Sequence, residues 1–205
     1  MEIFNNLWRL VEIGGPVMVP IFLISGWLWA LIMFKSNWLW RINRDRISLP
    51  EALACLKTRT ICDSATPRGL AINQYLSATR GGCGTSLAVN KLLLDSAIRK
   101  QTGTVQQYIP TIIILAAVAP LLGLFGTVSG MVETFRTIGL YGMGNAQAMA
   151  SGIREAMITT QAGLLVAIPG IFIGHVLRKR ANTIQHDLLV FQRGITQWLE
   201  KGDEV

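Results

Sequence analysis

The chain has 205 residues, of which 51% are hydrophobic and 15% charged, with a formal net charge of +7. That balance, with a mean hydropathy of +0.41, excludes an ordinary water-soluble domain and points to an integral membrane protein. The basic residues are scattered and lack the interleaved aromatics of a base-stacking surface, so the charge speaks for anionic membrane lipids and against nucleic acid.

Three apolar runs reach the roughly 20 residues that a helix needs to cross a bilayer. The first covers 16–34 and follows a 15-residue segment holding Arg9 against Glu2 and Glu12. With no basic leader and no small-residue cleavage site, it reads as a retained span rather than a signal peptide. Trp38 and Trp40, just beyond it, fit an interfacial aromatic anchor. Residues 35–108 are patterned as a helical loop. Leu49-Pro50-Glu51 opens a helix with proline near its first turn. Thr66-Pro67-Arg68-Gly69 and Arg80-Gly81-Gly82-Cys83-Gly84 interrupt the pattern. From Ser86, the apolar positions Leu87, Leu92 to Leu94, Ala97 and Ile98 recur on a helical face. That helix is expected to run on into the second span, with Pro110 as its one obvious interruption. Cys55, Cys62 and Cys83 have spacings that match no zinc or redox motif, and they read as reduced, structurally ordinary thiols. No metal or other cofactor is expected.

The second span is predicted over 109–132 and the third over 156–177. No charged residue lies between Lys100 and Glu133, or between Glu155 and Arg178. The link 133–155 contains Gly139, Gly142 and Gly144, which allow a tight reversal, and Asn145 as the N-cap expected for the next helix. The two spans therefore form an antiparallel hairpin. In the tail, 178–205, Ile184, Leu188, Phe191, Ile195 and Leu199 extend an apolar stripe beyond the third span. The fold class expected is an all-α membrane protein with three transmembrane helices, the second and third extended into the cytoplasm as long helices and the whole assembling as a ring.

Residues 35–108 carry eleven Lys or Arg against four acids, and the tail opens on Arg178-Lys179-Arg180. The 133–155 link has two of each sign. By the positive-inside rule the large loop and the tail are cytoplasmic, and the N-terminal segment 1–15 and the link are periplasmic.

The chemistry on offer is sparse. On the second span, Ala116, Gly123, Gly126, Thr127 and Gly130 cluster along one side. On the third, Ala156, Thr160, Gly163, Ala167, Gly170 and Gly174 fall within a narrow arc. Gly123, Gly126, Gly130, Gly163, Ala167 and Gly170 read as close helix–helix packing positions. A threonine in an apolar helix commonly bonds a carbonyl one turn back, yet its hydroxyl also suits a proton relay. It does not titrate, so another group must hold the proton. Within the spans only His175 titrates, near the cytoplasmic end. Glu155 stands at the outer mouth of the third span, where it also favours the helix dipole. An intramembrane carboxylate is absent from this chain's spans.

Ala119-Pro120-Leu121-Leu122-Gly123-Leu124-Phe125-Gly126-Thr127-Val128 resembles the second-span motif of the ExbB/TolQ proton-channel family. Gly152-Ile153-Arg154-Glu155-Ala156-Met157-Ile158-Thr159-Thr160-Gln161-Ala162-Gly163-Leu164, continued by Ala167-Ile168-Pro169, resembles its third-span motif. The specific resemblance covers about residues 110 to 178. It implies a non-enzymatic stator subunit of the bacterial inner membrane, in a homopentamer around a single-span ExbD- or TolR-like partner with a transmembrane Asp. Protons pass at that Asp and drive a TonB- or TolA-like protein that spans the periplasm. The flagellar relative MotA has four spans and fits less well. On the family pattern Thr127 and Thr160 match the pore threonines, and Glu155 the third-span glutamate. Thr159 is an alternative hydroxyl: Glu155 and Thr160 are about 140° apart on an ideal helix, while Thr159 shares the face of Glu155. Other readings are TolQ-like use, a gliding or motility stator, a non-conducting scaffold and, least favoured, a substrate transporter.

Overall fold

The structure, a computed structural model, describes residues 11, 14–44, 48–58, 66–80, 86–142 and 146–202. It contains six helices among these residues: α1 (Met18–Arg44), α2 (Leu49–Thr58), α3 (Pro67–Arg80), α4 (Leu87–Gln106), α5 (Ile109–Tyr141) and α6 (Ala146–Gly202). No strand occurs among the described residues. Three stretches are long and apolar enough to cross a membrane: Met18–Ile42, Leu87–Tyr141 and Met149–Glu200. The chain divides into two compact units, Met1–Met33 with Tyr108–His175, and Phe34–Gln107 with Val176–Val205.

The first unit is built on a seam between α5 and α6. The buried positions of α5 are Ile109, Ile112, Ala116, Ala119, Gly123, Gly126, Gly130 and Thr134, in steps of three and four. Those of α6 in the same unit are Gly152, Ala156, Thr159, Gly163, Ala167, Gly170 and Gly174, with the same step. A repeat near 3.5 keeps two helices in contact along their whole length. Small residues then let the backbones meet. A Cβ placed on Gly163 would lie 2.7 Å from the Ala119 carbonyl oxygen, and one on Gly130 would lie 2.6 Å from that of Gly152. On one side α1 closes over the hairpin: Val17, Met18 and Ile21 are buried against Leu122, Ile158, Ala162 and Val166. α5 ends at Gly142, whose φ of 67° suits a residue without a Cβ, and whose N–H donates to the Ile138 carbonyl. Asn145 lies outside the described residues, and so does any cap it forms.

The second unit has an ordinary apolar core. Ala52 and Leu56 of α2, Ala71, Ile72, Tyr75 and Leu76 of α3, and Leu94, Ala97 and Ile98 of α4 meet Leu188, Phe191 and Ile195 of α6. The tail stripe is thus the face that binds the loop helices, with Ile184 and Leu199 at its margin. Leu92 departs from the expected face and is 70% exposed. Three consecutive residues of a helix span about 200°, so they cannot all enter one core.

Helix starts follow local chemistry. Ser48 precedes α2, and its backbone N–H donates to the Glu51 carboxylate at 3.0 Å, one half of a capping box. This bond holds the Glu51 carboxyl below the usual glutamate range. The Thr66 hydroxyl accepts the Gly69 N–H at 3.4 Å at the head of α3. Thr66-Pro67-Arg68-Gly69 therefore interrupts the pattern because a new helix opens there, with proline in its first position. The helix leading into α5 is not continuous. Gln107 and Tyr108 form a turn, Tyr108 at a left-handed φ of 70°. Pro110 has no N–H to give to the Gln106 carbonyl, and its ring would clash there, so α4 stops at Gln106 and α5 starts afresh.

Lys35 is buried to 2% exposure, yet it is satisfied. Its ammonium donates to the Thr104 carbonyl at 3.1 Å and sits 4.3 Å from the Trp38 ring centroid. Trp40 is 65% exposed, with the Arg180 guanidinium 5.9 Å from its ring centroid. Asp95 bonds Arg99 at 2.6 Å and Gln192 at 3.2 Å, and these partners, Arg99 first, hold its carboxyl below the usual aspartate range. Cys55 is a half-buried free thiol, while Cys62 and Cys83 lie outside the described residues.

Ile195 is fully buried where α6 meets α4 and the loop helices. Ile195→Ala is expected to destabilise the purified full chain by about 2–5 kcal/mol, read as a lowered thermal unfolding midpoint. Arg193→Ala, on the exposed side of the same helix, is expected to stay within about 0.5 kcal/mol of the native chain.

Candidate functional site: the threonine-bearing hairpin

The four residues singled out for a proton path occupy three different surroundings. Thr159 is fully buried at 0% exposure, on the seam itself. Its side chain fills the space left by Gly126, where any Cβ would overlap it. Its hydroxyl donates back along its own helix, 3.0 Å from the Ala156 carbonyl and 3.1 Å from that of Glu155. The buried member of the α6 stripe between Ala156 and Gly163 is thus Thr159 and not Thr160. Glycine on the facing helix selects it, because only there is a branched side chain accommodated.

Thr160 sits on the flank of the seam, half-buried. Its hydroxyl lies 3.0 Å from the Ala156 carbonyl and reaches across to the Gly123 carbonyl of α5 at 3.4 Å. Thr127 is half-buried on α5, its hydroxyl donating to the Leu124 carbonyl at 2.7 Å. Both hydroxyls keep a free lone pair for water or a partner group.

The position of α1 tells the two flanks apart. Leu122 of α5 and Ala162 of α6 face α1. At about 100° per residue, Thr127 lies about 140° round from Leu122, and Thr160 about 160° round from Ala162. Both threonines therefore stand on the flank of the hairpin turned away from α1. Glu155 stands only about 20° from Ala162, on the α1 side. Its carboxylate rests against the turn before α1, where a Cβ on Gly15 would overlap it; Gly15 has φ of 68°. The structure brings Thr127 and Thr160 to one flank and sets Glu155 apart from them. Glycine at position 15 is what opens the space, and that contact joins segments 140 residues apart.

Gly123, Gly126, Gly130, Gly163, Ala167 and Gly170 all lie in the first unit's interior. A Cβ on Gly123 would stand 3.0 Å from the Thr159 carbonyl oxygen, and one on Gly170 2.8 Å from Leu28 and 3.0 Å from Ala116. Gly170 is thus the point where α1 and α5 both meet α6.

One residue escaped the reading by charge. Gln161 follows Thr160, is exposed on this chain, and has no hydrogen-bond partner among the described residues. It is the only carboxamide within 16–34, 109–132 and 156–177. An amide left without partners in a hydrocarbon medium costs roughly 2–7 kcal/mol. The signal lay in the sequence, but a hydropathy window dilutes one amide among many aliphatics. His175 is also exposed; its Nδ1 bonds the Ile171 carbonyl at 2.9 Å, which leaves Nε2 outward. Among the described residues, no group of three or more His, Cys, Asp or Glu is placed to hold a metal ion.

Two substitutions separate packing from path. Gly163→Ala is expected to push the helices apart and destabilise the hairpin by about 1–3 kcal/mol, checked by thermal unfolding in detergent. Thr159→Val keeps the shape against Gly126 and loses only a bond within its own helix. It is expected to leave ion-gradient-dependent activity of the assembled protein near the native level.

Comparison with known proteins places this hairpin in a wider group. The model of the MotA/TolQ/ExbB proton channel family matches residues 66–189. The putative biopolymer transport protein ExbB-like 1 of Synechocystis is 34% identical over 178 residues, which is 80% of this chain and 67% of that protein. The biopolymer transport protein ExbB of Neisseria gonorrhoeae is 27% identical over 204 residues, 89% of this chain and 92% of its own length. The Tol-Pal system protein TolQ of Haemophilus influenzae is 34% identical over 94 residues, 46% of this chain and 41% of that one.

Proposed function

Because this chain belongs to the MotA/TolQ/ExbB proton channel family, we propose that it is the ring-forming subunit of an inner-membrane motor driven by the proton motive force. The N-terminus faces the periplasm and the tail the cytoplasm. The spans are 16–34, 109–132 and 156–177. Several copies, five on the family pattern, surround a single-span partner of the ExbD or TolR kind, and the complex energises a TonB- or TolA-like protein across the periplasm. The placement of Thr127 and Thr160 on one flank of the hairpin, away from α1, carries this reading. In a ring with that flank inward, α1 is left to the lipid, and its exposed side chains, among them Leu23, Trp27, Met33 and Phe34, suit that surface.

The proton itself resides on the partner. Neither 109–132 nor 156–177 contains a carboxylate, and threonine hydroxyls relay protons without holding them. Thr127 and Thr160 line the path at which the partner's transmembrane Asp is protonated and released. Thr159 supports the wall from within the seam, and Glu155 acts at the outer mouth, on the side of α1. The role is that of a channel and stator, in which no substrate is chemically converted on this chain. An ExbB-like use in outer-membrane transport is the reading put forward, with a TolQ-like use in outer-membrane integrity or a gliding or motility stator as the alternatives.

The test is Thr127→Val and Thr160→Val in the native complex. Each is expected to reduce energy-dependent outer-membrane transport by at least about tenfold, the effect of losing roughly 1.4 kcal/mol along the path. Mass measurement of the purified assembly is expected to find copy number and partner unchanged. Full activity in both variants would mark the protein as a non-conducting scaffold.

A further inference from the structure

We propose that Gln161 is a further residue of the conduction path, its carboxamide facing the water-filled bore beside Thr160. The inference rests on the proton-channel reading above and extends it to a residue that a search for charges and hydroxyls passes over.

Three observations converge on it. Gln161 lies within an uncharged run of 22 residues, 156–177, about 9 Å of helix inside Glu155. It is exposed on this chain, with no hydrogen-bond partner among the described residues. A carboxamide at that depth has two donors and an acceptor to satisfy, and lipid tails satisfy none of them. The surface it occupies therefore meets water or polar protein in the assembled state.

The exposed surface of α1 provides the contrast. α1, which covers the other flank, presents Leu23, Trp27, Trp29 and Met33, with no amide among them. That is a face that lipid covers at no penalty. On α6, Gln161 lies about 100° round from Thr160, and His175 falls between them, about 60° from Thr160. Thr160 and His175 thus lie in the sector turned away from Ile158 and Ala162, and so from α1, and Gln161 stands at its edge, about 60° from Ile158. They run from the outer third of the span to its cytoplasmic end, with Leu164 and Ile168 between.

A carboxamide adds what hydroxyls alone lack. It donates and accepts at once, at the end of a longer side chain, and so orders water between the wall and a carboxylate carried by the partner. It does not itself change protonation. Its loss is expected to slow proton passage without removing the site where the proton is held.

The experiment uses the complete complex in native membrane vesicles. Gln161→Cys is treated with a charged, membrane-impermeant methanethiosulfonate, and modification is read at residue 161 by peptide mass, so the native cysteines do not interfere. Leu23→Cys, on the exposed face of α1, is the lipid-side reference. Label at 161 is expected to exceed that at 23 by at least about tenfold, since thiolate forms in water and not in hydrocarbon. In parallel, proton flux is measured with a pH-sensitive dye in vesicles holding the purified complex. Gln161→Leu is expected to lower flux about tenfold, the worth of one buried hydrogen bond, and Gln161→Asn to restore most of it. No label at 161 beyond that at 23, or native flux in Gln161→Leu, overturns the proposal. Native flux in Thr127→Val and Thr160→Val overturns the channel reading itself, so the two failures are told apart.

Discussion

Backbone-to-backbone approach between α5 and α6 governs the membrane-embedded unit. Water drives helices together by excluding apolar surface, but in a bilayer that drive is absent, and contact must come from close fit. Glycine supplies it here on both helices at once, with Gly123 and Gly126 set against Thr159 and Thr160, Gly163 against Ala119, and Gly130 against Gly152. The step of three and four residues holds the contact in register along the spans. Everything of functional interest follows from the rotation this seam imposes. It turns Thr159 inward, leaves Thr160 and Thr127 on one flank, and turns Glu155 toward α1.

The second unit obeys the more familiar rule. Its core is aliphatic and aromatic, drawn from four helices, and water exclusion suffices to hold it. A single 57-residue helix, α6, takes part in both regimes. Along its length the buried positions change from glycine, alanine and threonine to Leu188, Phe191 and Ile195, while the step stays the same. The solvent changes, the period does not, and only the size of the buried residue records the difference.

Much of this was legible in the sequence, because charge-free length and apolar period are direct consequences of the bilayer and of helix geometry. The three spanning runs, the tail stripe and the helix start at Leu49-Pro50-Glu51 are of that kind. What was not legible depends on partners distant along the chain. Thr159 and Thr160 differ by one position, and only Gly126 on the facing helix decides which of them is buried. The place of Glu155 depends on Gly15. The turn at Gln107 and Tyr108 was signalled by Pro110, but proline permits both a kink and a stop, and local sequence does not choose. Gln161 shows a different loss, in which averaging over a window hides a single amide.

The seam also sets terms for how this sequence can drift. Where a glycine faces a backbone carbonyl, as at Gly163 and Ala119, neither helix has a side chain to shorten in response, so the position is closed to change from either direction. Where a glycine faces a side chain, as Gly126 faces Thr159, volume can pass from one helix to the other if both positions change together. Related chains are therefore expected to show fixed glycines at the first kind of contact and paired exchanges at the second. Such exchanges would rotate or shift the hydroxyls on the flank by small amounts without unpacking the hairpin. The geometry that packs the seam thereby marks the places where the position of the flank hydroxyls can be retuned.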